Sequence, residues 1–415
     1  MMARGVLVPL TLSLLSAAPA SALTWAEARA QAQRSAPELA VSWRRAEAAG
    51  AEVRVAGALA NPTVTVTTAR ETARLSTGVS LPLPLFGQRG AAVQAARADA
   101  RAVEREVQVT ENELRWNVTN AWIDAWQATR RAQLLAGGAT DAQRLLGIAR
   151  ERFQAGSSPR LDVVRATADE ARTAADAQAA RTLVAAESAR LAIWVAGDPT
   201  HPPPITGDPG VSAGVPALEA LIAAVTAHPA LQRDEAQTQA AASRLALEKR
   251  LRLPTVSAEL VVNQGDPTLT DGNGVRQTDV IAGAAFELPV LNQRGGTIAR
   301  ADAQRRLAQA ATSLDRAHLI ADLAVAFRRT EAAATRAREI TRRALPAMEE
   351  ARAMTEESYR AGRADLVRVL EAERAVLDLR LAQAEAIATW ARSFADLEKA
   401  TGAPLTTTSA GDALP

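Results

Sequence analysis

The stretch PELAVSWRRAEAAGAEVRVAGALANPTV, residues 37–64, decides the reading of this chain, because residues 229–256 repeat it as PALQRDEAQTQAAASRLALEKRLRLPTV. At a constant offset of 192, Leu39 falls on Leu231, Pro62 on Pro254, Thr63 on Thr255 and Val64 on Val256. Leu83-Pro84 and Gln88-Arg89-Gly90 return as Leu288-Pro289 and Gln293-Arg294-Gly295 at an offset of 205. Phe153, Ala155, Gly156, Val163 and Ala166 return as Tyr359, Ala361, Gly362, Val369 and Ala372 at an offset of 206. Self-similarity on this scale is one structural unit used twice. The offset grows by 13 between the Pro-Thr-Val and Gln-Arg-Gly landmarks, so the second copy carries a longer loop there.

Residue type sets the elements within each copy. Residues 24–60 read as a helix broken at Ala36-Pro37. Thr63-Val64-Thr65-Val66-Thr67 alternates polar and β-branched side chains, the pattern of a half-buried strand. A second strand runs from Leu75 to Leu83, closed by Pro82 and Pro84, which cannot donate to a ladder. The second copy places strands at Val256 to Val262 and Val280 to Leu288, joined by a loop holding Gly265-Asp266-Pro267 and Asp271-Gly272-Asn273-Gly274. Each hairpin runs into a long helical stretch, from Gln88 to Gln154 and from Gln293 to Arg360. A continuous helix of that size spans about 100 Å. Gly137-Gly138 is expected to loosen or kink the first, and Pro346 to interrupt the second. Gly156 and Gly362 then stop the helices, since glycine accepts φ > 0 without steric cost. Helices return from about Pro159 to Val195 and from Ala364 to Thr401.

These landmarks divide the chain into a leader at 1–22, a first repeat at 23–214, a second at 215–403 and a disordered tail at 404–415. The hairpins fall at about 62–84 and 254–289, and the tips at about 153–159 and 359–365. Pro- and Gly-rich residues from Gly197 to Pro216 link the copies. The leader reads as a secretory signal: Arg4, an apolar run from Val6 to Leu15, and the small-x-small site Ala20-Ser21-Ala22.

Composition narrows the function. The 415 residues contain only 3% aromatics, which suits long, closely packed Ala-rich helices. There is no cysteine, which excludes disulfides and a lipid-modified N-terminal cysteine. Beyond the leader no stretch of about 18 apolar residues remains, so a membrane crossing has to be made by β-strands. The basic residues are nearly all Arg, with Lys only at Lys249 and Lys399, and form no patch with interleaved aromatics; nucleic acid is not the partner. His201, His228 and His318 show no metal spacing and read as solvated or turn residues. The loop from Asp266 to Gly274 lacks the terminal Glu of a calcium loop. No nucleophile–base set or phosphate loop appears, so neither enzyme activity, cofactor nor bound metal is expected. Trp116, Trp122 and Trp126 keep helical spacing, and Trp194 and Trp390 lie near the ends of the return helices, as core or membrane-interface anchors. Pairs such as Glu349 and Glu350 with Arg352 read as solvated helix faces.

An exported chain with helix, hairpin, long helix, glycine turn and return helix, all twice, resembles the TolC-like outer membrane efflux protein family. The residues carrying the resemblance are Asn61-Pro62 and Leu253-Pro254, Leu-Pro-Leu-Phe-Gly-Gln-Arg at 83–89 and Leu-Pro-Val-Leu-Asn-Gln-Arg at 288–294, and the doubled Phe/Tyr-x-Ala-Gly turns. The resemblance implies a mainly α protein with four strands per protomer. As a homotrimer it would form a 12-stranded barrel in outer membrane lipid over a long helical barrel in the periplasm. It also implies a passive exit duct of a tripartite system, served by a periplasmic adaptor and a proton-driven inner-membrane pump. By position, Ala155, Gly156, Ser157, Ala361, Gly362 and Arg363 would be the adaptor-contacting tips. The family narrows its channel with acidic residues six and nine positions after the second tip glycine; here those positions hold Arg368 and Glu371, and Asp162 stands six after the first. Interhelical charge pairing is the competing reading of these three. The Leu-Phe-Gly-Gln-Arg segment and the short chain point to the heavy-metal branch, with drug efflux or type I protein secretion as alternatives. A periplasmic coiled-coil adaptor is the rival of a different class, but an adaptor has one helical hairpin and more β sequence.

Overall fold

The computed structural model describes residues 22–69, 73–211, 215–270 and 276–405. The expected leader (apart from position 22), the loop Asp271 to Gly274 and the tail from 406 onward lie outside the described residues. In chain order the elements are α1 (Trp25–Ser35), α2 (Pro37–Gly57), β1 (Thr63–Thr67), β2 (Leu75–Leu83), α3 (Gln88–Gln154), α4 (Arg160–Trp194), α5 (Leu218–Ala224), α6 (Pro229–Arg250), β3 (Thr255–Thr270), β4 (Arg276–Glu287), α7 (Gly295–Glu339), α8 (Leu345–Arg360) and α9 (Leu366–Thr401). Pro37 and Pro229 open α2 and α6 at the first helical position, where a missing N–H costs nothing.

Two expected interruptions turn out differently. Helix α3 passes through Gly137-Gly138 without a break for 67 residues. Gly138 serves packing: a Cβ there would stand 2.8 Å from Leu377 Cδ2 of α9. Pro346 does not end its helix either. The turn before it, Ile340–Ala344, widens into a π-helical stretch and α8 follows directly. Widening accommodates the lost donor and the ring's clash with the preceding turn.

The chain divides into two units. The first comprises Met1–Arg34, Asn117–Val211 and Thr335–Arg392. Its helices bury Leu145, Leu146, Ala149, Ala166, Tyr359, Leu366, Val369 and Leu370 in one cluster, and Ala132, Leu135, Ala177 and Ala180 in another. So many alanines let helices approach closely at the cost of a thin core. Two tryptophans supply bulk: Trp122 and Trp390 are fully buried. Trp122 stacks on Trp25 at 5.9 Å between ring centroids and donates Nε1 to the Leu23 carbonyl at 3.1 Å.

The second unit comprises Ser35–Trp116, Ser212–Ala334 and Ser393–Pro415. Leu221, Val225, Leu231, Leu323, Phe327 and Leu397 form its helical core. Trp116 is bonded to Asp396 through Nε1 at 2.7 Å, with the Lys399 ammonium 4.1 Å from its ring centre. His228 is not a solvated turn residue: it is 5% exposed and caps α6, its Nδ1 accepting from the Ala230 N–H. This unit also holds the sheet, in the order β1-β2-β3-β4, every pair antiparallel. The second hairpin is longer than its sequence suggests. The ladder continues past Gly265-Asp266-Pro267 with register shifts between Asn263, Asp266 and Thr270. Gly265 has φ +68, so an irregularity in the ladder accommodates residues that read as loop.

Candidate functional site: a two-faced sheet and paired glycine tips

Alternation along the strands gives the sheet two chemically distinct faces. Register places Val64, Val79, Leu260 and Ala282 side by side on one face, with Leu83, Val256 and Phe286 on a further rung of it. The opposite face presents Thr63, Ser80, Glu259 and Gly283 on one rung and Thr67, Ser76, Asn263 and Asp279 on another. Pro82, Val261, Ile281 and Ala285 are its apolar exceptions. Among the described residues most of the apolar face is uncovered: Val64, Val280 and Phe286 are each 61% exposed, while Val256 at its end is buried. An antiparallel sheet in water buries its apolar face; one in lipid turns it outward and keeps polar residues inside. No described helix is long and apolar enough to cross a membrane.

The doubled Gln-Arg motifs clasp the strand ends. Gln88 donates Nε2 to the Pro254 carbonyl and accepts from the Phe86 N–H, tying the exit of β2 to the start of β3. Arg89 donates to the Gly57 carbonyl at 2.7 Å, and in the second copy Arg294 pairs with Glu248 at 2.8 Å. Arg294 holds the Glu248 carboxyl below its usual range.

The two tips have one construction. Gly156 (φ +72) donates to the Phe153 carbonyl while Ser157 reaches back to Arg152. Gly362 (φ +70) donates to Tyr359 while Arg363 reaches back to Ser358. This 5→2 and 6→1 pair is the Schellman stop of a helix. Asp365 caps α9 through the Arg368 N–H, whereas Pro159 opens α4 without a side-chain cap. Ala155, Gly156, Ser157, Ala361, Gly362 and Arg363 are all exposed.

The structure brings the first two turns of α4 and α9 to one end of the first unit, around buried Tyr359. Burial pushes the Tyr359 phenol up, the Arg152 charge opposes this, and the nearby Asp162 carboxylate adds to it. Asp162 is half-buried, and Arg368 and Glu371 are exposed. Among the described residues none of the three is in an ion pair. Asp162 and Arg165 correspond through the repeat to Arg368 and Glu371, so equivalent positions carry opposite charges.

Sequence reasoning missed a charge cluster behind the tips. Arg144 of α3 bonds Glu356 of α8 at 2.6 Å and stands 3.6 Å from Glu373 of α9. Burial raises Glu373 despite Arg352 and Arg144. Burial also acts to raise Glu356, but the Arg144 hydrogen bond and the charges of Arg144, Arg360 and Arg352 outweigh it and hold the carboxyl down. Arg352 and Glu349 are not a solvated face: each binds across to α9, Arg352 to Glu373 at 3.2 Å and Glu349 to Arg380 at 2.6 Å. Helical spacing alone cannot show a partner on another helix. Among the described residues no group of three His, Asp or Glu side chains could hold a metal ion.

The sequence pattern of outer membrane efflux proteins matches residues 28–195 and 221–403. The chain belongs to the outer membrane efflux protein family. As a member of that family it is an outer membrane channel protein that reaches into the periplasm. The cobalt-zinc-cadmium resistance protein CzcC of Cupriavidus metallidurans is 24% identical to it over 314 residues, 75% of this chain and 73% of that one. Among solved structures, CusC superposes with a TM-score of 0.77 at 16% identity, covering 97% of this chain and 99% of the other. The outer membrane protein VceC of Vibrio cholerae superposes with a TM-score of 0.73 at 18% identity, covering 92% and 97%. At such identities the likeness is one of fold.

Proposed function

We propose that three copies of this chain close their sheets into one 12-stranded outer membrane barrel, the exit of a passive efflux duct. One observation carries the reading: a four-stranded sheet with an exposed apolar face ends in two edge strands, β1 and β4, whose outer edges have no partner among the described residues. Lipid does not tolerate unpaired backbone, and a symmetric ring of copies removes every edge. Two copies would give eight strands, a barrel whose interior side chains fill. Three give twelve, which leaves a lumen.

The helices carry the path into the periplasm. Ala155, Gly156, Ser157, Ala361, Gly362 and Arg363 meet a periplasmic adaptor, which joins the duct to a proton-driven inner-membrane pump. Two matching exposed turns per chain fit a partner that binds the same way at each repeat. Asp162, Arg368 and Glu371 narrow the mouth, and their opposite charges at repeat-equivalent positions alternate around it. The chain performs no chemistry of its own. Its cargo is divalent heavy-metal cations, a reading supported by the similarity to CzcC.

A strain lacking this protein tests the cargo. It should become sensitive to cobalt, zinc or cadmium and recover when the chain is restored. A rise in drug sensitivity alone would overturn the metal assignment and leave the duct standing.

A further inference from the structure

We propose that the two strand exits of each chain form a phospholipid anchor at the periplasmic rim of the barrel. Leu85-Phe86 and Val290-Leu291 enter the acyl layer, and Lys249, Arg250 and Arg252 bind headgroup phosphates. The inference rests on the closed-barrel reading above, which sets these exits where sheet gives way to helix. The two exits are built alike. Leu85 donates to the Leu83 carbonyl at 2.9 Å around Pro84, and Val290 to the Leu288 carbonyl at 2.8 Å around Pro289. Such three-residue turns are common at strand ends, and proline fixes their central φ. Beyond them the backbone passes through positive φ, at Gly87 and at Arg294, where α3 and α7 begin. Each turn holds one apolar pair outward. Leu85 and Phe86 are 63% and 42% exposed, and their repeat equivalents Val290 and Leu291 are 71% and 101% exposed. Single exposed leucines are ordinary, but a fixed apolar pair repeated at both exits is a contact surface.

A neighbouring copy does not account for the exposure. Strand β2 lies inside the sheet with β1 and β3 on either side, and Gln88 is already bonded to the Pro254 carbonyl. Leu85 and Phe86 stay exposed even so. Ring closure gives β4 the flanking strand that β2 already has, so by the repeat it leaves Val290 and Leu291 uncovered too. The surface that continues into these pairs is the apolar sheet face, which the barrel turns to lipid: Leu83 lies on that face and Leu288 is its equivalent. Charge names the lipid. Across residues 50–62, 84–95, 246–254 and 287–300, which make this rim, seven basic residues stand against three acidic ones, whereas the whole chain has 48 and 46. Two of the three acids are engaged, Glu248 by Arg294 and Glu287 by the Thr255 hydroxyl. Lys249, Arg250 and Arg252, at and just beyond the end of α6, are exposed and form no ion pair among the described residues. Arg252 uses one Nη on Gln293 and keeps its other donors. Long cationic side chains beside an apolar belt reach to the headgroup layer, where an anionic phospholipid offers them phosphate.

Fluorescence quenching in vesicles of phosphatidylglycerol and phosphatidylcholine, with the full chain reconstituted, tests this. The chain has no cysteine, so F86C, L291C and F286C can each carry one environment-sensitive dye. At residues 86 and 291 the dye should be quenched by a nitroxide near the glycerol end of the lipid acyl chain and not by aqueous iodide. Nitroxide-bearing phosphatidylglycerol should quench there in preference to phosphatidylcholine by at least about fivefold, the share of one nearby cation. K249Q/R250Q, which leaves the strands and the Arg252 bond untouched, should lower that preference at least about threefold. Quenching by iodide alone at both exits would overturn the inference. So would protection from both quenchers, the mark of a second copy as the cover, or an unchanged preference in K249Q/R250Q. Lipid quenching at residue 286, on the apolar sheet face, would leave the barrel standing in each of those cases. Its absence would sink the barrel reading itself.

Discussion

Arg152 of the first tip places its guanidinium 4.5 Å from the centre of the Tyr359 ring in the second tip, and donates Nη1 to the Tyr359 carbonyl at 2.8 Å. One side chain therefore joins the two repeats where each turns back. The carbonyl it binds also accepts the Gly362 N–H, so Arg152 completes the second tip from the first. Arg152→Ala should loosen both turns, costing about 1–2 kcal/mol from the lost ring contact and hydrogen bond. Arg152→Lys keeps the charge but not the planar donor, and should lose part of that. Amide exchange at residues 153–158 and 359–364 is the readout. Equal protection in all three proteins would show that the contact does not hold the tips.

Glycine substitutions should separate turns from packing. Gly156 and Gly362 have positive φ with open space where a Cβ would stand. Alanine at either should cost about 1–2 kcal/mol through backbone strain alone. Gly137, inside α3 and equally open, should gain up to about 1 kcal/mol on becoming alanine. Thermal denaturation of the three single variants checks the opposite signs.

His228 makes the second unit acid-sensitive. Its Nδ1 accepts from Ala230 at 3.1 Å and its Nε2 donates to the Lys399 carbonyl at 3.0 Å, which requires the neutral ring. Burial depresses its pKa below the usual histidine value; the Lys399 carbonyl and Asp234 oppose this, and Arg233 adds to it. The unfolded chain therefore takes up the proton first as pH falls below about 6.5, and stability drops with it until the folded ring also protonates. Above that window the contribution is complete. His228→Asn preserves a cap and removes the titration. Its melting temperature should fall less than the native value between about pH 7.5 and 5. Identical falls would exclude this role.

The hairpins were legible because alternation in a strand is local, as in Thr63 to Thr67, and duplication showed the reading was not accidental. The tips were legible because glycine at positive φ leaves a mark in sequence. What stayed hidden depended on distant partners. Gly138 looked like a weak point until Leu377 was placed beside it, and Gly402 gave no sign that a Cβ would stand 2.4 Å from Pro229 and 2.8 Å from His228. Pairing of Arg144 with Glu356 and of Arg352 with Glu373 likewise requires knowing which helices are neighbours. The strands of the second hairpin were underestimated because Gly265 and Pro267 signal a loop, whereas an irregular ladder tolerates both.

Joining of β1 to β4 between chains is the most direct test of the account. Within one chain these strands are three strand spacings apart, about 14 Å, too far for a disulfide. The natural chain has no cysteine, so an introduced pair reports alone. Thr65→Cys would be combined in turn with Ile281→Cys, Gly283→Cys and Ala285→Cys, which share its face, and oxidised in intact outer membranes. A covalent ladder that ends at three copies for at least one pair is the expected result. Monomers for every pair, or a ladder continuing past three, would contradict the closed barrel of three chains.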